Sequence, residues 1–170
     1  MKGGWERTEP VDKKELSMLV SGFEKKLERE LPVIIGPNLS DIAVKKEGLV
    51  TARCDKKSIL KLARVLRDKY GFEHLSLISA VDWRDRFELV YHVRSYANYC
   101  MMEIKVPVPK EDLEVYSVAP IWKGANWHER EAYDMMGIVF KGHPDLRRIL
   151  LPEDVKYFPL RKDFQMAEED

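Results

Sequence analysis

The sequence predicts an α+β fold: a two-layer sandwich of two amphipathic helices on a mainly antiparallel sheet, followed by a short motif helix and an extended C-terminal arm. Two stretches, Leu16–Leu27 and Ile59–Tyr70, repeat apolar side chains at the spacing of one helix face. Three later stretches between His74 and Val106 alternate apolar and polar residues and are joined by short turns, the pattern of an antiparallel meander. After Gly137 this periodicity stops and Pro144, Pro152 and Pro159 punctuate the chain. Residues 1–137 are therefore expected to form the α+β domain and residues 138–170 a partner-binding arm.

The totals set limits on function. A chain of 170 residues can bury one real core. With 45% hydrophobic and 34% charged residues it is expected to be soluble and globular. The 29 basic and 29 acidic residues cancel, so no basic excess points to nucleic acid. No run of about eighteen apolar residues predicts a membrane span, and Met1–Arg7 lacks the apolar core of a signal peptide. An intracellular protein is expected, reaching a membrane only through partners. Cys54 and Cys100 stand far apart and cannot alone ligate an iron–sulfur cluster or a structural zinc; they are read as free thiols. With no glycine-rich phosphate loop either, the chain is expected to carry no cofactor of its own. Gln165 is its single glutamine, while Lys and Glu abound, a bias associated with hyperthermophiles.

In chain order, Asp12 and Glu15 suit the ends of a capping box, with Val11 and Leu16 as a staple. Leu16, Leu19, Val20, Phe23 and Leu27 form the first stripe, which Pro32 is expected to end. Pro32–Gly36 reads as a short apolar strand, and Asp41–Lys45 with Leu49–Arg53 as a hairpin. Asp55 is expected to cap the second helix, whose core stripe is Ile59, Leu62, Ala63, Leu66 and Tyr70 and whose closing residue is Gly71. Lys56, Lys57, Lys61, Arg64, Arg67 and Lys69 make that helix basic, either as solvated charge or as a face for an acidic neighbour. The next strand, His74–Asp82, places Leu75, Leu77, Ser79 and Val81 on one face. Phe87, Leu89, Tyr91 and Val93 line the following strand, and Met102, Ile104 and Val106 the third. Val106–Pro109 is expected to break the sheet, and Val115, Ser117 and Val118 to pair briefly.

The motif helix runs from Ala125 to Met136. Asn126 is a suitable N-cap, Glu129 a capping-box partner and Gly137 a left-handed C′ residue. Arg130 and Asp134 are four apart and can pair. Beyond it, basic residues interleave with Phe140, Leu146, Ile149, Leu150, Leu151, Tyr157, Phe158, Leu160 and Phe164. That segment is too apolar for a disordered tail and too irregular for a core layer. It reads as an arm laid on another polypeptide, with apolar anchors and arginine clamps. Met166–Asp170 is expected to be a frayed acidic end.

Three runs, Glu129-Arg130-Glu131 with Asp134, His143-Pro144-Asp145-Leu146-Arg147-Arg148-Ile149-Leu150, and Pro159-Leu160-Arg161-Lys162-Asp163, occur in this order. Together they resemble the thirty-kilodalton (C-type) subunit of respiratory complex I (NADH:quinone oxidoreductase) and its relatives in membrane-bound nickel–iron (NiFe) hydrogenases. Met136 departs from the aromatic residue of that family. The resemblance implies a peripheral-arm subunit on the cytoplasmic face of the cell membrane. It would dock the large NiFe-type or quinone-site subunit beside an iron–sulfur small subunit, with the redox centres in those partners. The implied docking constellation is Glu129, Arg130, Glu131, Tyr133, Asp134, His143, Asp145, Arg147, Arg148, Arg161 and Asp163. The alternative is a stand-alone acid/base enzyme built on Glu131, Asp134 and His143. Arg130 as a neighbour favours ion pairing over general acid chemistry there.

Overall fold

The computed structural model describes residues 13–165, and side chains from residue 22 onward. The expectations for Val11, Asp12, Leu16, Leu19, Val20 and Met166–Asp170 therefore lie outside the described residues or side chains. The elements run α1 (Lys13–Ile35), β1 (Leu39–Lys46), β2 (Leu49–Cys54), α2 (Ile59–Tyr70), β3 (His74–Asp82), β4 (Arg86–Ser95), β5 (Cys100–Pro109), β6 (Glu114–Tyr116), α3 (Ala125–Met136) and β7 (Val139–Lys141). Five strands form one sheet in the order β1-β2-β5-β4-β3. Every pair in it is antiparallel except β2 with β5. The short β6 and β7 pair in parallel as a separate two-stranded ribbon. Alternation drives the core as expected. Phe87, Leu89, Tyr91 and Val93 of β4, and Met102, Ile104 and Val106 of β5, are all buried with the α2 stripe.

Several local readings are corrected. Helix α1 does not stop at Pro32 but runs one turn further to Ile35, so Pro32–Gly36 is not a strand. Leu27, Leu31 and Ile35 are four apart and all buried, and seating Ile35 keeps the helix going. Proline here forfeits a single N–H, and the carbonyl that would receive it belongs to the exposed Glu28. Gly36, at φ +84°, ends the helix with its N–H on Pro32 O at 2.9 Å. Asp55 does not cap α2, which begins after Ser58; its carboxylate instead accepts the N–H of Lys57 at 2.8 Å in the preceding turn. Gly71 closes α2 at φ +68° as expected.

In β3 a register break between Leu75 and Leu77 switches the faces. Leu75, Ile78 and Asp82 point inward, while Leu77 and Val81 are exposed. Strand β5 is not broken at Val106–Pro109 but pairs with β4 as far as Pro109 opposite Arg86. The N–H of Met101 points to β2, at 2.7 Å from Gly48 O. By alternation the nitrogens of Pro107 and Pro109 face that same side, beyond where β2 ends, and no ladder bond is lost.

Four cations of the basic α2 region are used internally: Lys56 on Asp112, Lys61 on Ile34 O, Arg67 on Ile121 O and Lys69 on Glu30. Cys54 and Cys100 are buried free thiols, each pushed up to about 12 by burial and so unreactive.

Candidate functional site: the motif helix and the arm fastened to it

Helix α3 packs on β3 and carries three buried ionisable side chains, Glu129, Arg130 and Asp134. Its N-cap position is Gly124, not Asn126. Glu129 does not turn back to cap its own helix. Its carboxylate accepts the Ser117 hydroxyl at 2.5 Å and the Val118 N–H at 2.7 Å, tying the end of β6 to α3. His143 Nε2 lies 3.9 Å from it and 3.2 Å from Asn126 O. His143 Nδ1 accepts the N–H of Asp145 at 3.0 Å, which leaves the proton of the neutral ring on Nε2. Burial pushes the Glu129 carboxyl up to about 7, outweighing the bonds from Ser117 and Val118. The buried Tyr91 hydroxyl has no hydrogen-bond partner among the described residues, and burial together with the Glu129 charge raises it well above the usual phenol range.

Asp134 is the centre of the site. Arg148 Nη1 donates to its Oδ1 at 2.7 Å. Its Oδ2 accepts the successive N–H groups of Ile149, Leu150 and Leu151 at 3.0, 2.7 and 3.0 Å. Burial alone would push this carboxyl up, but the three N–H bonds and Arg148 outweigh it and hold it below the usual carboxylate range. Arg130 does not pair with Asp134. Its Nε and Nη2 donate to the carbonyls of Arg147 and Arg148, each at 3.1 Å, and its guanidinium lies 5.3 Å from the Trp127 ring. The physical reason is backbone satisfaction: an i, i+4 pair would satisfy two side chains and leave the backbone of residues 147–151 without partners.

The arm is fastened again further on. Arg161 Nε donates to Met136 O at 2.7 Å, and its guanidinium stacks 4.4 Å from Phe158 and 5.4 Å from Phe87. The N–H of Lys162 reaches Asp82 Oδ2 at 2.9 Å. Gly137, at φ +76°, makes room for this: a Cβ there would overlap the Arg161 guanidinium and lie 2.8 Å from Phe158.

The predicted constellation thus separates by depth. Glu129, Arg130, Asp134 and the Arg148 side chain are internal. The His143 side chain is likewise internal, while Tyr133 and Arg161 are half-buried. Glu131, Asp145, Arg147 and Asp163 are exposed, with Asp145 and Arg147 in contact at 3.0 Å. The acid/base trio is not assembled: Glu131 faces water, Asp134 is saturated by donors, and His143 turns to Glu129. Sequence reasoning missed Ser117, which carries no distinguishing pattern, and Asp82. The signal for Asp82 was a carboxylate on the inward face of a strand once the break at Leu75–Leu77 is allowed for. Around the fastened arm, Trp127, Leu150, Tyr157 and Leu160 remain 64, 62, 48 and 57% exposed. The site is an ordered surface with exposed apolar side chains.

Residues 52–170 match the family model described as respiratory-chain NADH dehydrogenase, 30 Kd subunit. The chain belongs to that family. It is 41% identical over 126 residues to the C-type subunit of the NADH-quinone oxidoreductase of Geotalea uraniireducens, covering 72% of this chain and 77% of the relative. It is 35% identical over 130 residues to the C-type subunit of the F(420)H(2) dehydrogenase of Methanosarcina mazei, covering 75% and 82%. Among solved structures, a chain of the membrane-bound sulfane sulfur reductase, an archaeal respiratory membrane complex, superposes with TM-score 0.70 at 26% identity, covering 83% of this chain and 86% of that one. The trypsin-resistant fragment of Nqo5 superposes with TM-score 0.58 at 30% identity, covering 71% and 99%. The family makes this chain a subunit of a complex I-like respiratory oxidoreductase, and the stand-alone acid/base enzyme is set aside.

Proposed function

We propose that this chain holds the large subunit of such a complex in register with its iron–sulfur small subunit, using the motif helix and the fastened arm as the docking face. The single observation that carries this reading is the pairing of buried charge with exposed apolar anchors. Asp134 and Arg130 direct their charge to fixing residues 147–151, while Trp127, Leu150, Tyr157 and Leu160 stay uncovered beside them. An ordered backbone presenting aromatic and aliphatic side chains has already met part of the ordering cost of binding. Exposed Arg147, Asp145, Glu131 and Asp163 supply a polar rim.

In this reading iron–sulfur clusters, and a NiFe centre where the complex is a hydrogenase, belong to the partners, and electrons pass between them. No helix among the described residues is long and apolar enough to cross a membrane, so attachment to the cytoplasmic face runs through those partners. The test is to tag the full chain in its native host, solubilise the membranes and identify what co-purifies. Recovery with a large subunit and a cluster-bearing subunit is expected, with metal in those subunits. Recovery of the chain alone, or with a redox group bound to it, overturns the proposal.

A further inference from the structure

The two edges of the five-stranded sheet are built differently. At β1 the edge is guarded: Asp41 adopts φ +51°, the register breaks twice, and Lys45 and Lys46 are exposed. Such devices discourage another strand from adding. At β3 the residues His74–Asp82 contain no proline and no lysine, and the register breaks once, near the start. The N–H of Trp83 closes the turn onto Arg86 O at 2.8 Å. Counting back along the antiparallel register, Val81, Ser79 and Leu77 direct their backbone groups to β4, whereas Ile78 and Ala80 turn theirs to the free edge. Among the described residues, no other backbone or side chain bonds to them.

A groove of about 150 Å³ runs along this edge, lined by the consecutive residues Leu77–Ala80 on one side. Side chains alternate across a strand, so four consecutive residues share one groove only along the strand's edge. The opposite wall is Ala132, Met135 and Met136 of α3 with Leu160 of the arm, and Glu131 is its one charged residue. Glu131 is exposed and has no cationic partner among the described residues.

We propose that the free edge of β3 receives an extended segment of a neighbouring polypeptide in the complex, added as a further strand, apolar where it faces Met135, Met136 and Leu160 and carrying a lysine or arginine opposite Glu131. The occupant follows from backbone and charge complementarity: paired N–H and C=O groups open to the groove, an adaptable apolar wall, and one unneutralised carboxylate. The groove is continuous with the arm through Leu160, so the inference rests on the docking reading above. The chain's own acidic end, Glu168-Glu169-Asp170, has the wrong charge to lie beside Glu131.

Amide exchange, measured on the intact complex and on the purified full chain, tests this. In the chain alone Ile78 and Ala80 are expected to exchange quickly and Leu77, Ser79 and Val81 slowly; in the complex the first two should slow by about tenfold or more. Ala80→Pro removes an edge N–H without touching the β4 ladder. It should keep the wild-type melting temperature yet lower recovery of the partners about tenfold. Glu131→Lys should lower recovery by a similar factor and serves if the proline variant does not fold. Unchanged exchange at Ile78 and Ala80 in the complex overturns the proposal. So does protection already present in the chain alone, whether lost on deleting residues 166–170 or dependent on concentration as for a second copy. Protection of Leu150–Leu160 in the complex without protection of Ile78 and Ala80 rejects the added strand alone; protection of neither rejects the docking reading as well.

Discussion

Asp134 illustrates how much structure one side chain can organise. Its carboxylate replaces water for three successive amides and neutralises Arg148 inside the protein. Asp134→Ala would leave a guanidinium with 8% side-chain exposure uncompensated and three N–H groups unpaired. The expected cost is about 3–5 kcal/mol, taken first from the arm. Hydrogen exchange at Ile149–Leu151 checks it, since those amides should become fast while β4 and β5 stay slow. Glu129 makes the opposite prediction. Its folded carboxyl titrates at about 7 against 4.5 for the free group, so the native state binds the extra proton between those values. Its contribution is therefore most favourable below about pH 4.5 and falls as pH rises through 7. The shift corresponds to a penalty on the order of 3 kcal/mol above pH 7. Glu129→Gln should accordingly raise stability at pH 8 by about 1–3 kcal/mol and change it little at pH 4.5. Urea unfolding of both proteins at the two pH values decides the matter, and equal pH dependence in the two would refute the assignment.

At the scale of elements, Gly137 is where α3 and the arm meet. Gly137→Ala places a methyl where Arg161 and Phe158 lie, in a backbone conformation that disfavours any side chain. The left-handed conformation alone costs about 1–2 kcal/mol. The displaced arm should expose Arg161 and Lys162 to trypsin while near-ultraviolet and far-ultraviolet spectra of the domain persist; unchanged cleavage kinetics would contradict the packing. The glycine itself was legible as a helix stop, but not its second role, because the atoms that crowd it come from more than twenty residues downstream. The same boundary explains the other elements. Period-two and helical periodicities located α2, β3, β4 and β5 because burial acts on near neighbours. They failed at Pro32, at Leu75–Leu77 and at Pro107, where a distant partner decided the outcome: the core under Ile35, the register with β4, and the end of β2. In α3 the family runs single out Glu129, Arg130 and Asp134, which the structure buries, yet local spacing paired Arg130 with Asp134. Only the arm's backbone reveals why each is turned elsewhere.

For the whole molecule, the docking proposal gives the buried and the exposed motif residues different parts in assembly, and this can be measured. The Arg147 side chain is 61% exposed, and among the described residues its one ion-pair partner is Asp145. Arg147→Ala should leave the isolated chain's stability within about 0.5 kcal/mol, as expected of a surface site. It should nevertheless weaken capture of the large subunit and flatten the salt dependence of that capture, because a rim charge acts mainly on the rate and ionic-strength sensitivity of encounter. Arg130 acts from inside. Arg130→Ala frees the carbonyls of Arg147 and Arg148 and removes the guanidinium that lies against the exposed Trp127 ring, so the proposed docking face loses its fixation. Melting temperature and capture should then fall together, with the residual salt slope retained. Titrating capture against salt for the two variants and the wild type separates the cases. Loss of capture that tracks stability in both would make Arg147 structural. Capture unaltered in both would remove this helix and arm from the interface altogether.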